Sequence, residues 1–147
     1  MIPALRSAQS KSGRALEIIR VVMLLLVMVG WVMYPLELVI LDHWLESWQS
    51  KVPFLLAIPG FIFTLWIFFD RDTPWVRKAF IATMWVSVVV GLTGAFFHIL
   101  WNFDGDVEWY FDTTMEAFAG DRPTLAAMAF THMGVTGLLC IFRTKGA

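Results

Sequence analysis

Four long apolar runs constrain this chain more than any other feature of its sequence. They cover residues 21–41, 52–69, 79–101 and 123–142. A helix that crosses bilayer hydrocarbon needs about 20 mostly apolar residues, and each run is close to that length. Only Pro35 and Glu37 interrupt the first run. The second carries Pro59-Gly60 near its middle, and the fourth opens on Pro123, a residue type favoured in a first helical turn. None of the runs alternates with period two, so a strand reading fails. Lipid cannot satisfy irregular backbone. The expected fold is therefore all-α, an integral membrane four-helix bundle forming one membrane domain over residues 1–147. Of the residues, 59% are apolar and 16% charged, against about 45–50% and about 25% in soluble domains. Once the runs are counted, no room is left for a separate soluble domain.

Charge orients the spans. If they alternate in direction, Arg6, Lys11, Arg14, Arg20, Arg71, Arg77, Lys78, Arg143 and Lys145 share one side with Glu17, Asp70 and Asp72, a surplus of +6. The other side holds Lys51 and Arg122 against Asp42, Glu46, Asp104, Asp106, Glu108, Asp112, Glu116 and Asp121, a surplus of −6. Basic residues mark the cytoplasmic side, which places both termini in the cytoplasm. The run after Arg20 is too long for a signal-peptide core and lacks a small-residue cleavage site, so it is expected to be an uncleaved first span. Most of the eight tryptophans fall near span edges, where interfacial anchoring accounts for them.

Two connections carry a pattern. Residues 42–50 place Trp44 and Trp48 one turn apart and are expected to extend the first helix into the interface. Residues 106–119 carry Val107, Tyr110, Phe111, Thr114, Met115 and Phe118 at helical spacing, with Gly120 as a stop. They predict a short amphipathic helix on the outer surface, between the third and fourth spans. Its Glu108, Asp112 and Glu116 form an acidic stripe that either faces water or meets a basic partner.

Polar side chains within membrane spans are costly and mark candidate sites. Ser87, Gly91 and Ala95 recur every four residues, a small-residue ridge that lets another helix approach closely and is a candidate contact face for a partner subunit. His98 and Asn102 continue that stripe, with Gly94 one turn before the histidine. His98 is thus a candidate to bond a neighbouring helix or to hold a metal or macrocycle. His43 ends the first span on the same side as His98, so the two should lie at similar depth. Glu37, Asn102, Asp104 and Asp106 are within reach of the same region, and imidazole with carboxylate suits a transition metal. Ligation of one haem by His98 and His132 meets an offset in depth of roughly 9 Å. Glu37, two residues after Pro35, suits a proton relay or quinone contact, or else an interhelical bond. For each of these residues the plainer alternative is packing or snorkelling. Cys140 is the only cysteine and sits in an apolar run. It excludes an internal disulfide and a cysteine-rich zinc site. No phosphate-binding loop, metalloprotease or hydrolase motif, or basic nucleic-acid patch is present.

The pattern His43-Trp44, Glu46, Trp48-Gln49 and Pro53-Phe54, with Gly94-x-x-x-His98-x-x-x-Asn102 and Pro123-x-Leu125-Ala126, resembles small four-span bacterial membrane proteins. It covers roughly residues 37–142 and implies no activity. Separately, a small residue one turn before a histidine, with Trp101 after it, is similar to the pigment-binding stretch of light-harvesting polypeptides. These features lead to three expected roles in the bacterial inner membrane. The first is a non-enzymatic accessory subunit that packs against other membrane subunits or itself. The second is a protein holding a metal, haem or chlorophyll through His98 with His43 or His132. The third is a small transporter or proton conductor using Glu37 and His132.

Overall fold

Two short polar side chains, Ser10 and Asp70, set helix boundaries in this chain. The computed structural model describes residues 10–45, 47–102 and 124–142, with isolated positions 2, 4, 8 and 115. Ser10 accepts a hydrogen bond from the Gly13 N–H at 3.0 Å and so caps the first helix. That helix, α1, runs Lys11–Ile40. The next, α2, runs Val52–Phe69 with a proline in its first turn. Asp70 ends α2 and prepares α3. Its backbone N–H reaches the Trp66 carbonyl, while its carboxylate accepts from the Asp72 and Thr73 N–H groups and the Thr73 hydroxyl. Pro74 then opens α3, Pro74–Asn102, at the position where its missing N–H matters least. The last helix, α4, runs Thr124–Cys140. Helices α1 and α2 continue through internal prolines, Pro35 and Pro59, each of which removes one hydrogen bond from the ladder.

Three of these helices are long and apolar enough to cross a membrane. The fourth has 17 residues, about 25 Å at the helical rise. The helices form a closed ring, with α1 on α2, α2 on α3, α3 on α4 and α4 back on α1. The α3–α4 seam is the most extensive. In α1 the buried positions are Glu17, Arg20, Leu24, Val27, Gly30 and Trp31; all but Gly30 are spaced alternately three and four residues apart, as in a coiled-coil seam. Leu24, Val27 and Trp31 share a core with Leu56, Ala57 and Ile67 of α2, Phe80 and Met84 of α3, and Phe130 and Met133 of α4. The outward faces are just as apolar. Leu26, Ile40, Leu55, Ile58 and Leu125 are each more than 60% exposed. Lipid contact, not water, suits such a surface.

The structure corrects the reading of residues 42–50. Helix α1 stops at Ile40. Asp42 takes the left-handed conformation, φ 51°, and reverses the chain. Two separate 3₁₀ turns follow, His43–Leu45 and Gln49–Lys51. The amphipathic helix expected over 106–119, with Glu108, Asp112 and Glu116, lies outside the described residues, apart from Met115.

Candidate functional site

At one end of the bundle, two histidines from different elements converge. The left-handed Asp42 is followed at once by the His43–Leu45 turn. His43 there faces His98, in the last turn of α3, with ring centroids 6.2 Å apart and planes at 72°. Trp101 flanks His98 at 6.3 Å and stacks on Phe97 at 5.4 Å. Asn102 lies one turn beyond His98 and is half-buried, as are both imidazoles. A metal at about 2.0–2.1 Å from a ring nitrogen sits roughly 3.2 Å from the ring centre, so two rings on one ion have centres at most about 6.4 Å apart. Tetrahedral ligation brings the centres to about 5.2 Å, so the pair at 6.2 Å fits one ion with the rings nearly opposed, or tetrahedrally after closing by about 1 Å. Glu37, expected near the same region, is exposed on α1. No third His, Cys, Asp or Glu among the described residues joins the pair.

His132 is elsewhere. The Thr131 hydroxyl, beside it on α4, reaches the Val88 carbonyl at 3.3 Å. His132 therefore lies about ten residues of helical rise, roughly 15 Å, from the depth of His98. The antiparallel α3–α4 packing separates these two along the bundle, further than sequence depth alone implies, and a haem held between them does not fit this arrangement.

The small-residue ridge of α3 is used within the chain, not against a second subunit. The Ser87 hydroxyl donates to the Phe130 carbonyl at 2.7 Å. Gly91 packs under Thr131 and Ala127, and Ala95 is buried. Gly94 is also committed to α4, since a Cβ there would lie 3.1 Å from the Ala127 methyl. The notch that resembles a pigment site is thus filled by a helix.

The opposite end holds a buried ionic cluster that sequence reading treated only as a charge count. Glu17 accepts from Arg20 at 2.6 Å and from Arg71 at 2.9 Å. Arg20 also donates to the Phe142 carbonyl at 2.7 Å, and Arg77 to the Ile141 carbonyl at 3.2 Å. The guanidinium groups cap the carbonyls just past α4, where positive charge complements the helix dipole. The three-residue spacing of Glu17 and Arg20 was the available clue. Near the middle, the Trp31 indole N–H donates to Thr64 at 3.1 Å, and Thr64 donates to the Gly60 carbonyl at 2.6 Å.

No protein family matches the sequence, and comparison with curated proteins and with solved structures finds no similar chain.

Proposed function

We propose that this chain is a multi-pass protein of the bacterial cytoplasmic membrane that binds a transition-metal ion through His43 and His98 at the outer end of its bundle. In this reading it spans the bilayer four times, with both termini in the cytoplasm. The buried Arg20 and the half-buried Arg71 and Arg77 belong to the basic, cytoplasmic end. From Arg20 to Ile40, α1 rises about 30 Å, the thickness of the hydrocarbon.

The observation that supports metal binding is the approach of two imidazoles across different elements to 6.2 Å. Imidazole suits zinc, copper, nickel and iron. Two such ligands leave open positions for the Asn102 amide oxygen, for water, or for carboxylates of Asp104 and Asp106, which follow in sequence. The test is equilibrium dialysis of chelator-treated protein against Zn²⁺, Ni²⁺ or Co²⁺. One ion per chain is expected, with binding lost in His43→Gln and His98→Gln and kept in His132→Gln. Equal uptake by all three variants, or none by the unmodified chain, overturns the proposal.

A second reading, an accessory subunit, is favoured by Glu37. An exposed carboxylate on a span three residues from its helix end is suited to a hydrogen-bonding partner from another membrane subunit. Purification in mild detergent decides it, and a lone monodisperse monomer counts against it.

A further inference from the structure

A lateral groove between α1 and α4 lies away from both ends of the bundle. Its volume is about 160 Å³, and its walls include Leu26, Gly30, Tyr34, His132, Met133 and Thr136. Gly30 makes its floor possible. A Cβ there would lie 3.2 Å from Met133 Cγ and 3.3 Å from Tyr34 Cε2. The Tyr34 ring is held against Phe130 at 6.0 Å. His132 is exposed at the mouth, beside the exposed Leu26. No hydrogen bond to the Tyr34 phenol or the His132 imidazole occurs among the described residues. His132 lies ten residues before Phe142, about 15 Å along the helix and so near the middle of an approximately 30 Å hydrocarbon layer. Tyr34 lies 14 residues past Arg20, about 21 Å along α1, so both groups fall within that layer, where there is no water to bond.

We propose that this groove binds the ring headgroup of a quinone that enters from the bilayer, with its tail left in lipid. This rests on the membrane placement but not on the metal site. Size, access and chemistry agree. An apolar cavity of about 150 Å³ admits one benzene-sized ring. The mouth opens sideways beside apolar, exposed residues, so the ligand arrives through lipid. A phenol O–H and an imidazole N–H both donate, and a quinone presents carbonyl oxygens to accept. An acyl chain would satisfy neither group.

The test uses the full chain in lipid nanodiscs, titrated with a decyl-tailed benzoquinone and followed by tryptophan quenching and calorimetry. Saturable binding of one quinone per chain is expected. Tyr34→Phe and His132→Leu should each weaken it about tenfold, which corresponds to about 1.4 kcal/mol. Each keeps the ring or the apolar surface, so unchanged circular dichroism confirms that the fold persists. Decylbenzene, which has the same shape but no carbonyls, should bind at least about tenfold more weakly, a difference of about 1.4 kcal/mol. His43→Gln and His98→Gln should leave quinone binding intact, so the groove and the metal site fail separately. Uptake proportional to lipid, as in protein-free discs, overturns the proposal. So does undiminished binding by His132→Leu, or equal affinity for decylbenzene, which would make the groove an acyl-chain site. A stable dimer that His132→Leu dissociates also overturns it, because a second copy would then fill the groove.

Discussion

Thr64 shows how a polar side chain is kept inside this bundle. Its hydroxyl accepts a hydrogen bond from the Trp31 indole and donates one to the Gly60 carbonyl, so donors and acceptors are matched with no water. Thr64→Val keeps the shape and orphans the indole N–H. Chemical unfolding in detergent should show a loss of about 1–2 kcal/mol. Trp31→Phe combined with Thr64→Val should lose less than the sum of the two, because they share one bond. Asp70 works outside the spans. The Thr73 hydroxyl, then the Asp72 N–H, hold its carboxyl below the ordinary aspartate value. A lowered folded pKa means the contribution is complete above the unfolded value and is lost as pH falls through the folded one. Thermal stability should therefore drop below about pH 4. Asp70→Asn should remove that part of the acid dependence, which parallel melts of the two proteins would show. Neither role was legible in the sequence. Thr64 is one of many hydroxyls in apolar surroundings, and Asp70 entered only as a charge.

At the scale of elements, the α3–α4 seam depends on missing side chains. A Cβ on Gly134 would lie 2.5 Å from the Met84 carbonyl oxygen, a backbone atom that cannot rotate away. Gly134→Ala should force the helices apart and cost about 1–3 kcal/mol by overpacking. Val135→Ala, one residue along but exposed, should change unfolding by less than about 0.5 kcal/mol. The sequence showed that Ser87, Gly91 and Ala95 make a close-approach ridge, because four-residue spacing places them on one helical face. Which helix approaches was not legible, since any apolar helix suits a smooth face. The end of α1 was misread for a related reason. Apolar residues continue through Leu41 and Leu45, and only the backbone at Asp42 shows that the chain turns there.

At the scale of the whole molecule, the helices are tied together at their basic end by a cluster built around one carboxylate. Glu17 joins α1 to the α2–α3 link through Arg71, and Arg20 and Arg77 extend the tie to the end of α4. Buried ion pairs contribute little net stability, but removing one member leaves charges uncompensated. Glu17→Ala leaves Arg20 and Arg71 facing each other. It should cost about 3–5 kcal/mol in detergent unfolding and increase proteolysis at that end. Reversing charge on an exposed residue such as Lys11 should have little effect.

By itself the sequence determined the number and rough limits of the apolar helices, because hydrocarbon demands length and composition that can be counted. If the runs alternate in direction, it also implies a strong charge difference between the two ends, and its depth argument placed His43 and His98 at the same level. The tertiary structure alone decided which faces turn inward, that His43 and His98 meet while His132 borders a separate groove, and that the ridge of α3 is filled by α4. The physical reason is the solvent expected around the bundle. In water, an apolar stripe betrays the buried face of a helix, whereas here the outward residues are as apolar as the core, and only packing distinguishes them.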